Sequence, residues 1–174
     1  IVSAGFRLEN NSVYGNIPVP AGGLSYLMNG AVTLKVAVSK GFRSPTMMEL
    51  YLFAPANSEL RPEKMTNYEA SILLNFLKNK LKLDITLFNV RGANLIQTVF
   101  LNGAPKNMNT GAFNNTGIEF SSRLTVNNQL NMAINYSFIK LREKLTGAPK
   151  NHLELNIDYT RKKFLFSMNF SAIE

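Results

Sequence analysis

The chain has 174 residues, enough for one domain, and 19 Lys and Arg against 11 Asp and Glu give it a formal charge of +8. Charged residues make up only 17% of it, below the roughly one quarter usual in soluble domains, and the absence of cysteine excludes a disulfide frame or a thiolate metal site. No apolar run approaches the length of a membrane-spanning helix, and the start, IVSAGF, lacks a signal-peptide pattern, so the sequence reads as a piece of a longer chain.

From end to end the dominant period is two. From Ile1 to Leu8, Val2, Ala4, Phe6 and Leu8 alternate with Ser3 and Arg7. A polar segment, 9–16, predicts a connection, followed by a Pro-containing strand over about 17–27 and the hairpin signal Asn29-Gly30. Val32, Leu34, Val36 and Val38 mark the third strand. The segment from Lys40 to Lys64, KGFRSPTMMELYLFAPANSELRPEK, then breaks the alternation and predicts a long, proline-stiffened loop. Beyond it, Tyr68 to Phe76 and Leu81 to Leu87 form the next pair, around a turn at 77–80. Residues 91–112 are Asn- and Gly-rich and predict another long connection, within which LIQTVFL either extends the strand or folds over it. Strands around Ile118–Thr125, Leu130–Phe138, His152–Tyr159 and Phe164–Ser171 complete a set of about nine. They are separated by turns at 126–129 and 160–163 and by a medium loop at 142–150.

Tight connections therefore alternate with long ones, so all tight turns fall at one end of an up-and-down sheet and all long loops at the other. Transmembrane β-barrels have this asymmetry. A soluble β-sandwich would also give one apolar and one polar face per strand. Sequential hairpins are not Greek-key connections, however, and the polar faces carry charges of both signs at mid-strand, as a watery lumen does. The positive balance raises nucleic acid as a partner, yet Lys78, Lys80, Lys82, Arg161, Lys162 and Lys163 cluster at tight turns. No recognition helix, zinc-ligand set or aromatic RNA-binding motif accompanies them, and no nucleic acid is expected.

Several stretches carry a family resemblance. GFRSPTMMELY and NSELRPEKMTNYE resemble the FRAP and NPNL boxes of TonB-dependent outer-membrane receptors. LKLDITLFNVRGANLIQ, NTGIEFSSRLTVNNQLNMAINYSFI and GAPKNHLELNIDY look like successive hairpins of the C-terminal half of such a barrel. The resemblance implies an all-β, antiparallel, up-and-down transmembrane barrel of about 22 strands with an N-terminal plug. Residues 1–174 would be its C-terminal portion, without the plug, the earlier strands and the last strand. It further implies the outer membrane of a Gram-negative bacterium, contact with outer-membrane lipid, and coupling to the TonB complex through the missing plug. The implied activity is uptake of a scarce metal chelate, a ferric siderophore first, then haem or cobalamin. This piece alone would not transport.

Candidate ligand contacts lie in the long loop: Arg43, Met47, Met48, Glu49, Tyr51 and Arg61. In haem receptors of the family a histidine between the boxes can ligate iron, but this chain has none between Pro45 and Asn57. Met47, Met48 and Tyr51 have axial-ligand chemistry, although packing of the loop against the barrel wall is the favoured reading. Arg43 and Glu49 either meet an anionic ligand or pair with other charges to hold the loop, and pairing is favoured. His152 has no second metal ligand nearby and reads as an ordinary polar residue. No nucleophile elbow, P-loop or histidine-rich metal motif is present. The carboxylates Glu59 and Glu63 could serve acid–base hydrolysis, but their place beside Arg61 and Lys64 favours ion pairing. Neither enzyme activity nor a resident cofactor or metal is expected. The alternatives are an outer-membrane barrel enzyme and a soluble β-sandwich binding module.

Overall fold

A computed structural model describes residues 1–141 and 149–174. Nine strands, β1 (Val2–Asn11), β2 (Gly15–Asn29), β3 (Val32–Arg43), β4 (Glu63–Phe76), β5 (Leu81–Leu101), β6 (Ala104–Thr125), β7 (Leu130–Lys140), β8 (Asn151–Arg161) and β9 (Phe164–Ile173), are joined by one short helix, α1 (Met47–Tyr51). The strands lie in chain order in one antiparallel sheet, which is the expected all-β meander.

Register aligns the period-two pattern across the sheet. Leu34, Ile72, Ile85, Phe120, Tyr136 and Leu153 stand opposite one another in sequence along one row. The adjacent row, one residue along each strand, is Lys35, Ser71, Thr86, Glu119, Ser137 and His152. Because neighbouring residues point to opposite faces, one face is apolar and the other polar. An apolar sheet face this wide needs an apolar neighbour, which lipid supplies to a barrel. On the polar face, short hydrogen bonds join the strands side to side, among them Ser71 to Thr86 at 2.8 Å and Ser121 to Asn135 at 2.9 Å.

The tight turns draw on the abundant asparagines. Asn29 Oδ1 accepts from the N–H groups of Ala31 and Val32, and Asn127 Oδ1 from those of Gln129 and Leu130. Each side chain thereby takes over a turn's backbone donors.

At the opposite end the structure corrects the expected loops. The segment 9–16 is mostly strand, with β1 and β2 paired as far as Asn11 and Gly15. The region 91–112 is likewise strand: β5 and β6 run 21 and 22 residues and pair to Leu101 and Ala104 around an Asn102-Gly103 turn. Both turn residues have positive φ, 51° and 82°, as a tight primed hairpin turn requires. Crossing a bilayer takes about 9–11 residues, so each strand of this hairpin exceeds such a span by about ten residues, a tower of roughly 35 Å. LIQTVFL thus extends the strand. The expected loop at 142–150 lies largely outside the described residues. Only 44–62 is a true long loop among the described connections.

One ladder stops early. The β1–β2 ladder reaches Asn11 and Gly15, and the β3–β4 ladder reaches Arg43 and Glu63, but the β2–β3 ladder ends at Ala21 and Ser39. Ile1 and Ser25 exchange both backbone bonds at 2.8 Å, so the odd residues of β2 turn their backbone groups to β1 and the even ones to β3. Beyond Gly22 the next two even residues are Pro20 and Pro18, which have no N–H to give. The P-x-P spacing of imino acids at Pro18-Val19-Pro20 therefore opens a seam in the wall.

Candidate functional site

The loop 44–62 has a core of its own. Among the described residues its Leu50 and Leu60 are the buried hydrophobic side chains, at 6% and 3% exposure, flanked by buried Pro45 and Pro62. The strands, whose apolar face awaits a neighbour, supply none.

Thr-Met-Met-Glu starts α1 as a capping box. Thr46 Oγ1 accepts from the Glu49 N–H at 3.2 Å, and the Glu49 carboxylate accepts from the Thr46 N–H at 2.7 Å. The same carboxylate meets Arg43 through two bonds, of 3.0 and 3.1 Å. Arg43 also makes two bonds of 2.7 Å to Glu63, the residue directly opposite it on β4. Its planar fork is therefore bidentate to two carboxylates at once, which a lysine cannot match. Glu63 Oε1 additionally accepts from the Ile96 N–H at 2.9 Å and so fastens the tower base to the same node.

This node lies beyond the apolar rows and has a definite electrostatic character. Hydrogen bonding to Glu63 and Glu49 raises the Arg43 pKa further above its already high value. The Arg43 guanidinium holds both carboxyls below the usual range, against the opposing effect of burial. The Arg43 and Glu49 pairing is present, as is an ion pair for Glu63, but the partner of Glu63 is Arg43 and not Arg61 or Lys64. Hairpin register, which puts residues 43 and 63 opposite each other, outweighs closeness in sequence.

A second set of bonds straps the loop to the tower. Asn107 N–H donates to Pro55 O at 2.7 Å, and Asn57 Nδ2 donates to Asn107 O at 2.8 Å. Asn109 accepts from the Arg61 N–H at 2.7 Å through its Oδ1 and donates to Arg61 O at 2.8 Å through its Nδ2. Sequence reasoning missed Asn107, Asn109 and Glu63 as organisers. The unused signal was Asn102-Gly103, which pairs β5 with β6 and brings Asn107 and Asn109 up to the loop.

The remaining candidates diverge. Met47 and Met48 are each 66% exposed and Tyr51 52%, so these side chains do not pack on the wall. Leu50, on the other side of α1, does the packing. Phe53, which the sequence did not single out, is 83% exposed and held at φ 60°, an uncommon backbone for a bulky residue. The Arg61 side chain is exposed while its backbone is pinned. Met47, Met48, Tyr51 and Phe53 are thus exposed apolar and aromatic side chains on or beside α1, while Arg61 lines a groove with Lys40 and Lys64.

His152 is placed apart, on the polar face, with Nε2 3.2 Å from Ser171 Oγ and 3.4 Å from a Glu154 oxygen. Polar concavities of about 760 and 370 Å³ line this face, bordered by Lys82, Asp84, Arg123, Glu119 and Glu154. Among the described residues no group of three His, Cys, Asp or Glu is arranged to hold a metal ion.

Comparison with known proteins agrees with this architecture. The siderophore receptor PirA of Pseudomonas aeruginosa superposes with a TM-score of 0.80 at 18% identity, over 98% of this chain and 33% of that one. The P. aeruginosa ferric enterobactin receptor PfeA, solved with enterobactin bound, gives 0.80 at 17% over 98% and 29%. PirA of Acinetobacter baumannii gives 0.79 at 21% over 98% and 30%. A TonB-dependent receptor of Haemophilus influenzae, itself uncharacterized, is 27% identical over 63% of this chain and 35% of its own length. The chain thus spans about a third of each relative. The family model for the β-barrel of TonB dependent receptor-like proteins matches residues 1–172, and the chain belongs to that family.

Proposed function

We propose that this chain is the loop-bearing part of the wall of an outer-membrane receptor that imports a scarce metal chelate with energy from the TonB complex. The family consists of receptors and not enzymes. The match over residues 1–172 carries the reading. It is supported by the apolar face, which fits a bilayer, and by the loop 44–62 strapped to the extended β5–β6 hairpin at one end. A ferric siderophore is the ligand favoured over haem and cobalamin. The solved relatives include siderophore receptors, and no histidine stands between Pro45 and Asn57 to ligate haem.

Within the loop, Met47, Met48, Tyr51 and Arg61 contact the chelate, while Arg43 and Glu49 act as positioning residues that hold α1. Binding falls to the loop because, among the described connections, it is the one that combines exposed side chains with a buried core and ion pairs of its own. The plug, in the remainder of the receptor, would provide the other wall and the connection to TonB.

The test uses the full-length receptor in iron-limited cells. Uptake of labelled ferric catecholate, ferric hydroxamate, haem and cobalamin is measured with and without the proton gradient. Gradient-dependent accumulation of a ferric siderophore is expected. Accumulation of none of the four, or uptake independent of the gradient, would overturn the reading.

A further inference from the structure

The two edges of the β5–β6 tower are finished in different ways. Thr98 and Asn107 stand opposite each other with their side chains joined at 2.8 Å, while the Asn107 N–H goes to Pro55 O and the Ile96 N–H to Glu63. Residues 96, 98 and 100 of β5, and 105 and 107 of β6, therefore turn their backbone groups away from the other strand of the hairpin. On β6 this outward set is closed: Pro105 has no N–H to offer, and the Asn107 N–H and C=O are both taken by the loop 44–62. On β5 only Ile96 is engaged. Among the described residues, the N–H and C=O groups of Thr98 and Phe100 meet no partner.

Side chains do not guard the β5 edge either. From Gly92 to Pro105 no residue is charged, in a chain of net charge +8, although a lysine is a common device against strand addition. Val99, Phe100 and Leu101 end the strand instead, with Phe100 75% and Leu101 47% exposed. One hairpin thus carries a blocked edge and an open one. The open edge is uncharged, rich in β-forming residues, and repeats its outward donors and acceptors about every 7 Å, as a template for one more strand does.

We propose that the β5 edge above Ile96 is a docking site for an extended segment of a separate protein, which adds to the tower as a further strand. Thr98 and Phe100 exchange N–H and C=O bonds with alternate residues of that segment, and the Phe100 side chain meets an apolar one. An extended backbone is the ligand that offers donors and acceptors at this spacing. The described neighbours do not fill the place: the loop 44–62 is committed to β6, and β4 pairs with β5 only as far as Lys64 and Ala93. A second copy in the same membrane is a poor occupant, because its β5 would run the same way and the two-fold would set like groups level with like. The inference goes beyond the uptake reading and takes from it only that the tower faces the medium.

The experiment uses detergent-solubilised full-length receptor, in which the edge is accessible whichever side the tower faces. The probe is a labelled peptide of alternating Val and Thr, and the control is the same peptide N-methylated at every residue. Saturable binding of the plain peptide alone is expected, with the Thr98 and Phe100 amides exchanging quickly in the free receptor and slowly in the complex. Phe100→Pro deletes an outward donor without touching the β5–β6 ladder and should weaken the peptide about tenfold. The Val99 and Leu101 amides should stay as protected as in wild type, and chelate affinity should be unchanged. Phe100→Lys keeps the donor, adds the missing guard charge and should weaken the peptide too. Equal binding of the two peptides, or binding undiminished in both variants, overturns the proposal. So does protection of the Thr98 and Phe100 amides in the receptor alone, because another part of the receptor then fills the edge. Binding in detergent that is absent on intact cells supports the edge as a strand template and overturns the outward placing of the tower, on which the uptake reading depends.

Discussion

The wall and the loop module of this chain are stabilised by different means. In the wall, the rows that run from Leu34 to Leu153 are specified by alternation and register, and their apolar side chains depend on what lies outside the chain. The module at 44–62 depends on itself, with two buried leucines, one arginine engaged by two carboxylates, and asparagine straps to β6. The first arrangement tolerates many substitutions that conserve polarity, because lipid adapts to shape. The second tolerates few, because charge-assisted bonds depend on direction and distance.

The largest expected effect breaks the wall. Ile85→Lys puts an ammonium into the middle of the apolar face and should cost about 2–4 kcal/mol of folding in vesicles. Thr86→Lys, its neighbour on the polar face, should cost under about 1 kcal/mol. Urea titration of the full-length receptor reads both, and equal costs would dissolve the distinction between the faces.

Next comes the node. Arg43→Ala leaves two carboxylates without their cation and should loosen the module by about 1–2 kcal/mol, a range that allows for solvent around an arginine side chain 41% exposed. Amide exchange should rise across 44–62 and not across β7 to β9. Arg43→Lys should recover only a minor share, since one ammonium cannot be bidentate to both acids. Exchange that rises everywhere alike would show that the module and wall are one cooperative unit.

A comparable loosening should be reached by acid. Because the folded pKa values of Glu49 and Glu63 are lowered, their contribution is complete above the unfolded carboxylate range, about 4.3. It is lost as pH falls through the lowered folded values. Exchange protection of the Ile96 amide, followed from neutral pH downward, should stay flat and then fall, and in Arg43→Ala the fall should begin at higher pH.

Asn109→Ala removes both contacts to the Arg61 backbone and should cost about 1 kcal/mol locally, seen as faster proteolytic nicking of the loop. The smallest stability effect belongs to Met47→Ala with Met48→Ala, within about 0.5 kcal/mol because both side chains are exposed. That pair should still weaken chelate binding measurably, and unchanged affinity would remove the two methionines from the binding surface.

Much of the wall was legible because a bilayer on one side and water on the other impose a period of two. That signal fails where both sides are wet. Residues 9–16 and 91–112 keep their strands but lose the alternation, so polarity alone made them resemble loops. Asn102-Gly103 was the one local cue that survived in the taller hairpin. At the site, Arg43 and Glu49 sit six residues apart and their pairing was readable from the sequence. Glu63 required the hairpin register, and the contacts of Asn57 with Asn107 and of Arg61 with Asn109 join residues 50 and 48 apart. Such long-range pairings arise from the folded geometry, which no local pattern encodes. Exposure of Met47, Met48 and Tyr51 was misjudged because a helix of five residues has room to bury only one side, and Leu50 takes it.

The termination of the β2–β3 ladder differs in kind from these contacts. Side-chain fits can be lost by repacking and regained by compensating mutation elsewhere. Pro18 and Pro20 instead omit hydrogen atoms from the backbone, and no rearrangement of neighbours can supply them. The opening between these two strands is thus written into covalent structure and persists at any temperature or salt at which the strands themselves persist. For anyone redesigning the barrel, this is the place where the wall can be widened or narrowed by single-codon changes, with the rest of the hydrogen-bond network left as it stands.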